Sequence, residues 1–315
     1  MLSLRVSVFA GSAALAFAIG AGILGAAATH QPEATASQVE PWLGQIQTVT
    51  DWRQITLPLD AYELSLRDSA TVDRAEYQQT MACMEQFGFA FDVTPWDGWT
   101  AGIPEGDLDA SPSHYRLFGL LDDASAAQYG YHVPETQPPA GKALSGPENS
   151  RDYANVLGAK FGGGTYRGQH IPEGGCIGQA RQSIAGGGPA FDSSLPEQLT
   201  SEAWNRSEGD SRVISAYADW RACMNDAGFD YRTPADANND TRWSGEEATP
   251  AEIAVASADV VCKQQTNLVG IRMAVDSAYQ RVVIRAHAKE LKALKLGQQR
   301  QLDNAASLLA LDSGK

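Results

Sequence analysis

The sequence predicts a mainly α-helical fold: two helix pairs, each stapled by a disulfide, a long irregular excursion in the first unit, and a long C-terminal helix. Three observations predict it: an apolar leader, an even number of cysteines, and a duplicated motif. The motif occurs as YQQTMACMEQFGFAF at 77–91 and as YADWRACMNDAGFDY at 217–231, 140 residues later. Both copies follow the pattern Y-x₄-A-C-M-x₃-G-F-x-[FY].

The N-terminal segment, residues 1–36, has the layout of a secretory signal peptide. After Arg5 no acidic or basic side chain other than His30 follows until Glu33, and the apolar run between them ends in the small residues GAAAT. This order is typical of an export signal, although about 20 apolar residues also suffice for an uncleaved membrane anchor. The sequence therefore predicts an extracytoplasmic protein, either secreted or anchored to the plasma membrane by this segment.

Four cysteines remain to be paired in this exported chain: Cys83, Cys176, Cys223 and Cys262. An even number in an oxidising compartment favours disulfides, and no C-x₂-C spacing of a zinc site is present. Because one further cysteine follows each cysteine of the repeated motif, we predict the pairs Cys83–Cys176 and Cys223–Cys262.

The repeat divides the rest of the chain into two predicted units, residues 37–199 and 200–315. In the first, TVDRAEYQQTMACMEQFG predicts a helix that ends where Gly88 turns left-handed. Its partner helix is predicted to open at Cys176. The excursion between them is rich in Gly and Pro and lacks periodicity, which is typical of functional or disordered loops; FGGGTYRG at 161–168 is interpreted as a flexible loop.

The second unit repeats the first helix and adds a stronger start signal for its partner. DSRVISAYADWRACMNDAG predicts a helix from an Asp210 cap to Gly228. In TPAEIAVASADVVCKQQ, Thr249 is a predicted N-cap and Pro250 takes the first helical position. Glu252 is predicted to return its carboxylate to the cap as a capping box.

A long C-terminal helix is predicted after Gly270, where apolar residues continue at helical spacing as far as Leu309. Between Arg281 and Arg300 the chain has six cations and one carboxylate, Glu290, although the whole protein has a formal net charge of −14. The acidic balance argues against nonspecific binding to nucleic acid or anionic membranes. Membrane contact is predicted only through the N-terminal segment.

Four strings carry a family resemblance: LDDASAAQYGYHVP, GGCIGQA, WRACMNDAGFDYRTP and EIAVASADVVCKQQTNL. Together they resemble a group of secreted or lipid-anchored actinobacterial proteins that are labelled hypothetical. The resemblance spans most of residues 70–285 and implies an extracytoplasmic location, without an activity to carry over. The absence of a lipid-attachment cysteine departs from many of these proteins.

Two catalytic hypotheses arise from single residues. Cys176 opens a predicted helix, where the thiol pKa is lowered, and could act as a nucleophile with His170 or His287. An oxidised Cys176 would be chemically silent. The excursion also contains carboxylates suited to a hydrolase, namely Asp122, Asp123 and Glu173, although nothing in the sequence fixes the separation that glycoside hydrolysis requires.

A calcium hypothesis rests on DANNDTRWSGEE at 236–247. The candidate ligands occupy positions 1, 3, 5, 9 and 12 of a calcium loop and are Asp236, Asn238, Asp240, Ser244 and Glu247. Thr241 stands where the loop requires glycine, and Asp/Asn clusters between helices are commonly solvated turns. A calcium-stabilised adhesion module is therefore an alternative function.

Aromatic residues of the excursion are the remaining binding candidates: Trp96, Trp99, Tyr129 and Tyr131. Exposed aromatic rings can stack on sugars of a cell-wall glycan, whereas tryptophan commonly packs in cores. No dinucleotide, serine-elbow or zinc-protease motif is present, and we predict no cofactor. The predicted function is a non-catalytic binding or accessory protein of the cell envelope whose partner is an envelope protein or a cell-wall glycan; the alternative is an envelope hydrolase.

Overall fold

A computed structural model describes residues 40–89, 103, 105–109, 114–133 and 150–312. Its helices are α1 Leu66–Gln86, α2 Asp123–Tyr129, α3 Arg151–Gly158, α4 Gly175–Ala185, α5 Leu195–Ser207, α6 Ser211–Asp226, α7 Pro234–Asn238, α8 Pro250–Gln265, α9 Leu268–Ala286 and α10 Ala288–Asp312. Short 3₁₀ helices span Trp52–Gln54, Pro58–Tyr62, Glu105–Asp107 and Thr241–Trp243. The strands β1 Thr165–Tyr166 and β2 Gln169–His170 form a small antiparallel sheet. The mainly helical fold class is confirmed.

Helix α9 is the central element of the fold. All but one of its residues from Leu268 to Gln280 are buried, and α9 packs against α5, α6, α8 and α10. The N-terminal segment of the described chain also crosses it closely, because a side chain at Gly270 would overlap the carbonyl oxygen of Gln47. Burial on all sides is typical of a core helix.

The predicted C-terminal helix is present as two helices. The chain departs from helical geometry at His287, with φ −111° and ψ 25°, and α10 continues from Ala288. Leu291, Leu294 and Ala305 of α10 are buried where this helix packs on α1, α4 and α9. The apolar stripe that the sequence shows is thus covered within the chain.

Helix α10 also completes the end of α4. Arg300 Nε donates to the carbonyl oxygen of Ala185 at 3.1 Å, and Asn304 Nδ2 donates to that of Ile184 at 2.9 Å. The last carbonyl groups of a helix have no partner within the helix, and a cation is favoured beside them. These two side chains therefore fix α10 against α4.

Both copies of the repeated motif end in the same helix cap. The N–H of Phe89 donates to the carbonyl oxygen of Met84 at 3.1 Å, and that of Phe229 donates to Met224 at 2.8 Å. The glycine before each phenylalanine has a φ of 80° or 88°. This is the Schellman motif, in which the Phe packs back on the Met. The spacing M-x₃-G-F therefore encodes a cap.

The two predicted disulfides are present. Cys83 of α1 bonds to Cys176 in the first turn of α4, with Cα atoms 5.5 Å apart, and Cys223 of α6 bonds to Cys262 near the end of α8, at 5.6 Å. The second cysteine of the first pair, Cys176, thus lies at the start of its helix, whereas that of the second pair, Cys262, lies near the end of its helix. Two disulfides indicate an oxidising, extracytoplasmic environment.

The glycine-rich segment 161–168 was expected to be a flexible loop, but the structure places ordered strands there. Thr165 pairs with His170 and Tyr166 with Gln169. The two residues between the strands, Arg167 and Gly168, have φ values of 48° and 82°. Two positive φ values at these positions are the requirement of the tight hairpin turn that suits twisted strands. The sequence interpretation overlooked this turn.

The described residues from Glu40 onward cluster as one compact unit. Both predicted units contribute to shared packing, since α10 lies on α1 and α4; the division at residue 199 stays a prediction about sequence organisation. No helix in the part of the chain that the structure describes is long and apolar enough to cross a bilayer. The leader, residues 1–36, lies outside the described residues.

Removal of either disulfide is expected to lower the free energy of unfolding by about 4 kcal/mol. The bridges close chain segments of 93 and 39 residues, and the loss of unfolded-state entropy grows slowly with that length. The pairs Cys83→Ser/Cys176→Ser and Cys223→Ser/Cys262→Ser are to be compared by chemical denaturation. A loss below about 1 kcal/mol for either variant would contradict a stapling role for that bridge.

Candidate binding site

Residues 114–133 are a described part of the excursion and contribute to both candidate binding clefts. Helix α8 holds this segment at two points. Lys263 Nζ donates to the carbonyl oxygen of Leu120 at 3.1 Å. At the other end of α8, the Glu252 carboxylate accepts from the backbone N–H of Tyr131 at 2.9 Å. Helix α2 lies between these two points and packs on α8. Segment 114–133 is therefore anchored to α8 of the second disulfide unit.

The Lys263 anchor belongs to a buried ion pair. Its Nζ lies 2.8 Å from Oδ2 of Asp259, and the two side chains are 2% and 0% exposed. Trp220 of α6 donates Nε1 to the other carboxylate oxygen at 3.0 Å. Burial raises the pKa of Asp259, and Lys263 opposes that shift. A charge pair this deep stabilises only when each partner is hydrogen-bonded.

Two glycines let the segment approach these charges. Gly119 has a φ of 79°, and a Cβ there would lie 2.8 Å from Lys263 Nζ. Gly130 has a φ of 55°, and a Cβ there would lie 2.7 Å from Glu252 Oε1. Glycine is required at both positions because it tolerates positive φ and leaves room for a charged group.

The contacts of Glu252 show that the predicted capping box at the start of α8 is wrong in part. Thr249 does cap α8, since its hydroxyl oxygen accepts from the N–H of Glu252 at 3.2 Å. The Glu252 carboxylate, however, accepts from Tyr131 and lies 3.3 Å from Nε2 of His132. Because α2 covers this end of α8, the carboxylate is fully buried and serves the neighbouring segment instead of its own cap.

Arg116 links the beginning of segment 114–133 to its end. Its guanidinium donates to the carbonyl oxygens of Tyr131 at 2.6 Å and of His132 at 2.9 Å. Its own φ of 59° is in the left-handed region, which costs about 1 kcal/mol for a side chain of this size. Arg116 and Gly119 line two clefts.

The first cleft, of about 390 Å³, combines the partly buried Trp52 ring and the exposed Tyr115 ring with charged groups. Trp52 and Tyr115 meet edge to face with centroids 5.9 Å apart. Arg53 lies 4.7 Å above the Trp52 ring, and the Tyr115 side chain is 46% exposed. The polar lining is supplied by Thr50, Asp51, Arg53, Arg116, Asp122 and Ser125.

Asp122 is an ionised acceptor at the edge of this cleft. It caps α2 by accepting from the N–H groups of Ala124 at 3.3 Å and Ser125 at 2.8 Å. The Ser125 hydroxyl and backbone N–H lower the pKa of Asp122. A general acid needs a raised pKa, so Asp122 is suited to accepting hydrogen bonds from a ligand.

The second cleft, of about 310 Å³, has a more apolar wall that includes Trp204, Tyr217, Leu268 and Val269. Arg272 of α9 lies beneath it, with its guanidinium 4.1 Å from the centre of the Trp204 ring. It pairs with Glu208 at 2.7 Å and Asp276 at 3.2 Å. Burial raises the pKa of Asp276 to about 6, although Arg272 and the Ser207 hydroxyl favour its charged form.

The structure places the predicted aromatic candidates differently from one another. Tyr131 is 7% exposed and belongs to the core beside Trp220, and it also lines the second cleft. Burial raises the pKa of its hydroxyl. Tyr129 is half-buried at the end of α2. Trp96 and Trp99 lie outside the described residues.

Of the other candidates, Cys176 is fully buried in its disulfide. No described cysteine has a free thiol, so the thiol form of the hydrolase hypothesis lacks its nucleophile. The carboxylates Asp123 and Glu173 are exposed.

The five predicted calcium ligands lie on or beside short helical elements. Asp236 and Asn238 are in α7, Asp240 caps the next 3₁₀ helix, and Ser244 and Glu247 are exposed. The Asp240 carboxylate is already bound by Arg242 at 2.6 Å, which lowers its pKa. Among the described residues no group of three His, Cys, Asp or Glu could hold a metal; calcium binding stays a prediction.

Comparison of the chain with protein-family models, with curated proteins and with solved structures gave no match. The resemblance to secreted actinobacterial proteins therefore stays an expectation.

Sequence reasoning overlooked the residues that shape the clefts, above all Arg116, Tyr115 and Trp52. Their side chains meet only in the folded chain, across about 60 residues. A local signal did exist for the charges beneath the clefts. Asp259/Lys263 and Arg272/Asp276 are opposite charges four residues apart within otherwise apolar helices, a spacing that brings two helical side chains together.

Lys263→Met is expected to lower the free energy of unfolding by about 3–5 kcal/mol, because it leaves the Asp259 charge buried and unpaired. The double variant Lys263→Met/Asp259→Asn should recover a large part of this loss, since the introduced amide is uncharged and its oxygen can still accept from Trp220. Chemical denaturation measures both. An equal loss in the two variants would show that the uncompensated charge is not the cause.

The stability contribution of Asp276 should depend on pH. Its folded-state pKa of about 6 lies above the ordinary value of 3.8, so between these pH values the folded state binds more protons than the unfolded state. Stability therefore falls as pH rises through this window. The free energy of unfolding of the wild type minus that of Asp276→Asn should fall by about 2 kcal/mol between pH 4 and pH 7. A constant difference would contradict the raised pKa.

Proposed function

We propose that this chain is a non-catalytic binding protein of the cell envelope, and that the first cleft binds a cell-wall glycan. In this proposal the protein is exported and is then either secreted or held at the plasma membrane by residues 1–36. The observation that carries the proposal is the wall of the first cleft, where the exposed Tyr115 ring meets Trp52 beside arginine and aspartate side chains.

The chemistry of that wall suits a sugar. Aromatic rings offer an apolar face to the C–H groups of a pyranose while their surroundings stay wet. Ionised carboxylates and guanidinium groups supply acceptors and donors for ligand hydroxyls. Asp122 has a lowered pKa. Arg53 lies over Trp52, and Asp107 accepts from its Nε and Nη2, so the cleft offers an ionised acceptor and a guanidinium that is held in place.

A binding role is also supported by the way the cleft is built. The segment that bears Tyr115 and Arg116 is tied to α8 by Lys263 and Glu252, which are both buried. Such support fixes the position of the binding groups before a ligand arrives, which lowers the entropy lost on association.

Cosedimentation of the exported protein with purified peptidoglycan tests the proposal. Tyr115→Ala should weaken binding at least about fivefold, which corresponds to about 1 kcal/mol of lost stacking. Cellulose serves as an unrelated polysaccharide and should retain little protein.

Phe161→Ala is the matched control. Phe161 is 47% exposed and lies 5.0 Å beneath an arginine guanidinium, much as Tyr115 is 46% exposed beside Arg116, but it does not line the first cleft. This variant should bind like the wild type. Equal losses in both variants, or equal retention on cellulose, would overturn the proposal.

A further inference from the structure

A line of exposed cations follows the end of α9 and the first half of α10. We define this basic stripe as Arg281, Arg285, Lys289, Lys292 and Lys295. Each of the five side chains is exposed, and none forms an ion pair with any carboxylate in the described part of the chain. Arg300, the next cation, is excluded from the stripe because it donates to carbonyl groups next to α4.

Helical geometry places the stripe on one face of each of two helices. Arg281 and Arg285 are four residues apart on α9, and Lys289, Lys292 and Lys295 are spaced by three on α10, where they span an arc of about 120° along about 9 Å of the axis. The helical hydrogen bonds of α9 end at His287, which donates to Val283, and those of α10 begin at Leu291, which donates to His287, both at 3.0 Å. The buried residue Leu294 lies on the side of α10 opposite the lysines.

The rest of the molecule has the opposite charge. Residues 281–300 carry a formal charge of +5 and the whole chain carries −14, so the remainder carries −19. The one carboxylate of the segment, Glu290, lies about 100° or more around α10 from each of the three lysines. Like charges held together on a helix face repel one another, so the stripe is an arrangement that folding alone does not favour.

We infer that the basic stripe binds a linear polyanion that bears repeating phosphate groups, at a site separate from the proposed glycan cleft. Lysine ammonium groups are compact point charges that bind phosphates well. Cations aligned along the two helices match an extended chain of charges, whereas an amphipathic helix that lies in a membrane interface also buries an apolar face. Leu296 is the exposed large apolar residue within the described part of this segment. The acidic remainder of the chain would repel an anionic membrane surface.

Binding of the full exported protein to long-chain inorganic polyphosphate tests this inference at several salt concentrations. The variant Lys289→Gln/Lys292→Gln/Lys295→Gln should weaken binding at least about tenfold. It should also reduce the slope of the logarithm of the binding constant against that of salt concentration by about 2, because three counterion-releasing contacts are lost.

The control variant is Arg74→Gln/Lys160→Gln/Arg232→Gln, which removes three exposed cations outside the stripe and changes the net charge equally. It should bind within about twofold of the wild type. Equal losses in the two variants would show that net charge alone accounts for the weaker binding, and would overturn the inference. Binding to phosphatidylglycerol vesicles without binding to polyphosphate would overturn it in favour of a lipid surface. Neither outcome affects the peptidoglycan test, which depends on Tyr115.

Discussion

The buried pair of Asp259 and Lys263 is the interaction on which the arrangement of the site depends. It joins three parts of the chain, because Trp220 of α6 donates to the same carboxylate and Lys263 also donates to Leu120 of the excursion. An isolated charge at this depth would cost several kcal/mol. Segment 114–133 therefore has to lie against α8 for the charges to be satisfied, and this requirement sets where both clefts form.

Other polar groups also hold parts of the chain in place around the clefts. Glu252 fixes the far end of the segment, and Arg116 ties its two ends through carbonyl oxygens. Arg272 pairs with Glu208 and Asp276 under the second cleft. Outside α2, the backbone of segment 114–133 forms turn hydrogen bonds, and its remaining polar groups need partners elsewhere. Side-chain charges from the helices supply those partners and hold the segment in place.

Local features of this fold were predictable from the sequence, whereas long-range pairings were not. The caps at Gly88 and Gly228 and the start of α8 at Thr249 depend on residues within one turn of one another, and all three were predicted correctly. The destination of the Glu252 carboxylate was wrong because a residue more than 100 positions away, Tyr131, competes for it. The first cleft escaped prediction for the same reason, since its aromatic rings come together only through tertiary packing.

The disulfides connect the cysteines in consecutive order, first with second and third with fourth. A chain threaded through a membrane from its N-terminus delivers Cys83 and Cys176 to the oxidising side before Cys223 arrives. At that stage the native bond is the sole pairing open to the two thiols. The connectivity therefore suits vectorial export, in which each bridge can close as its second cysteine emerges, without a shuffling step to undo crossed pairs.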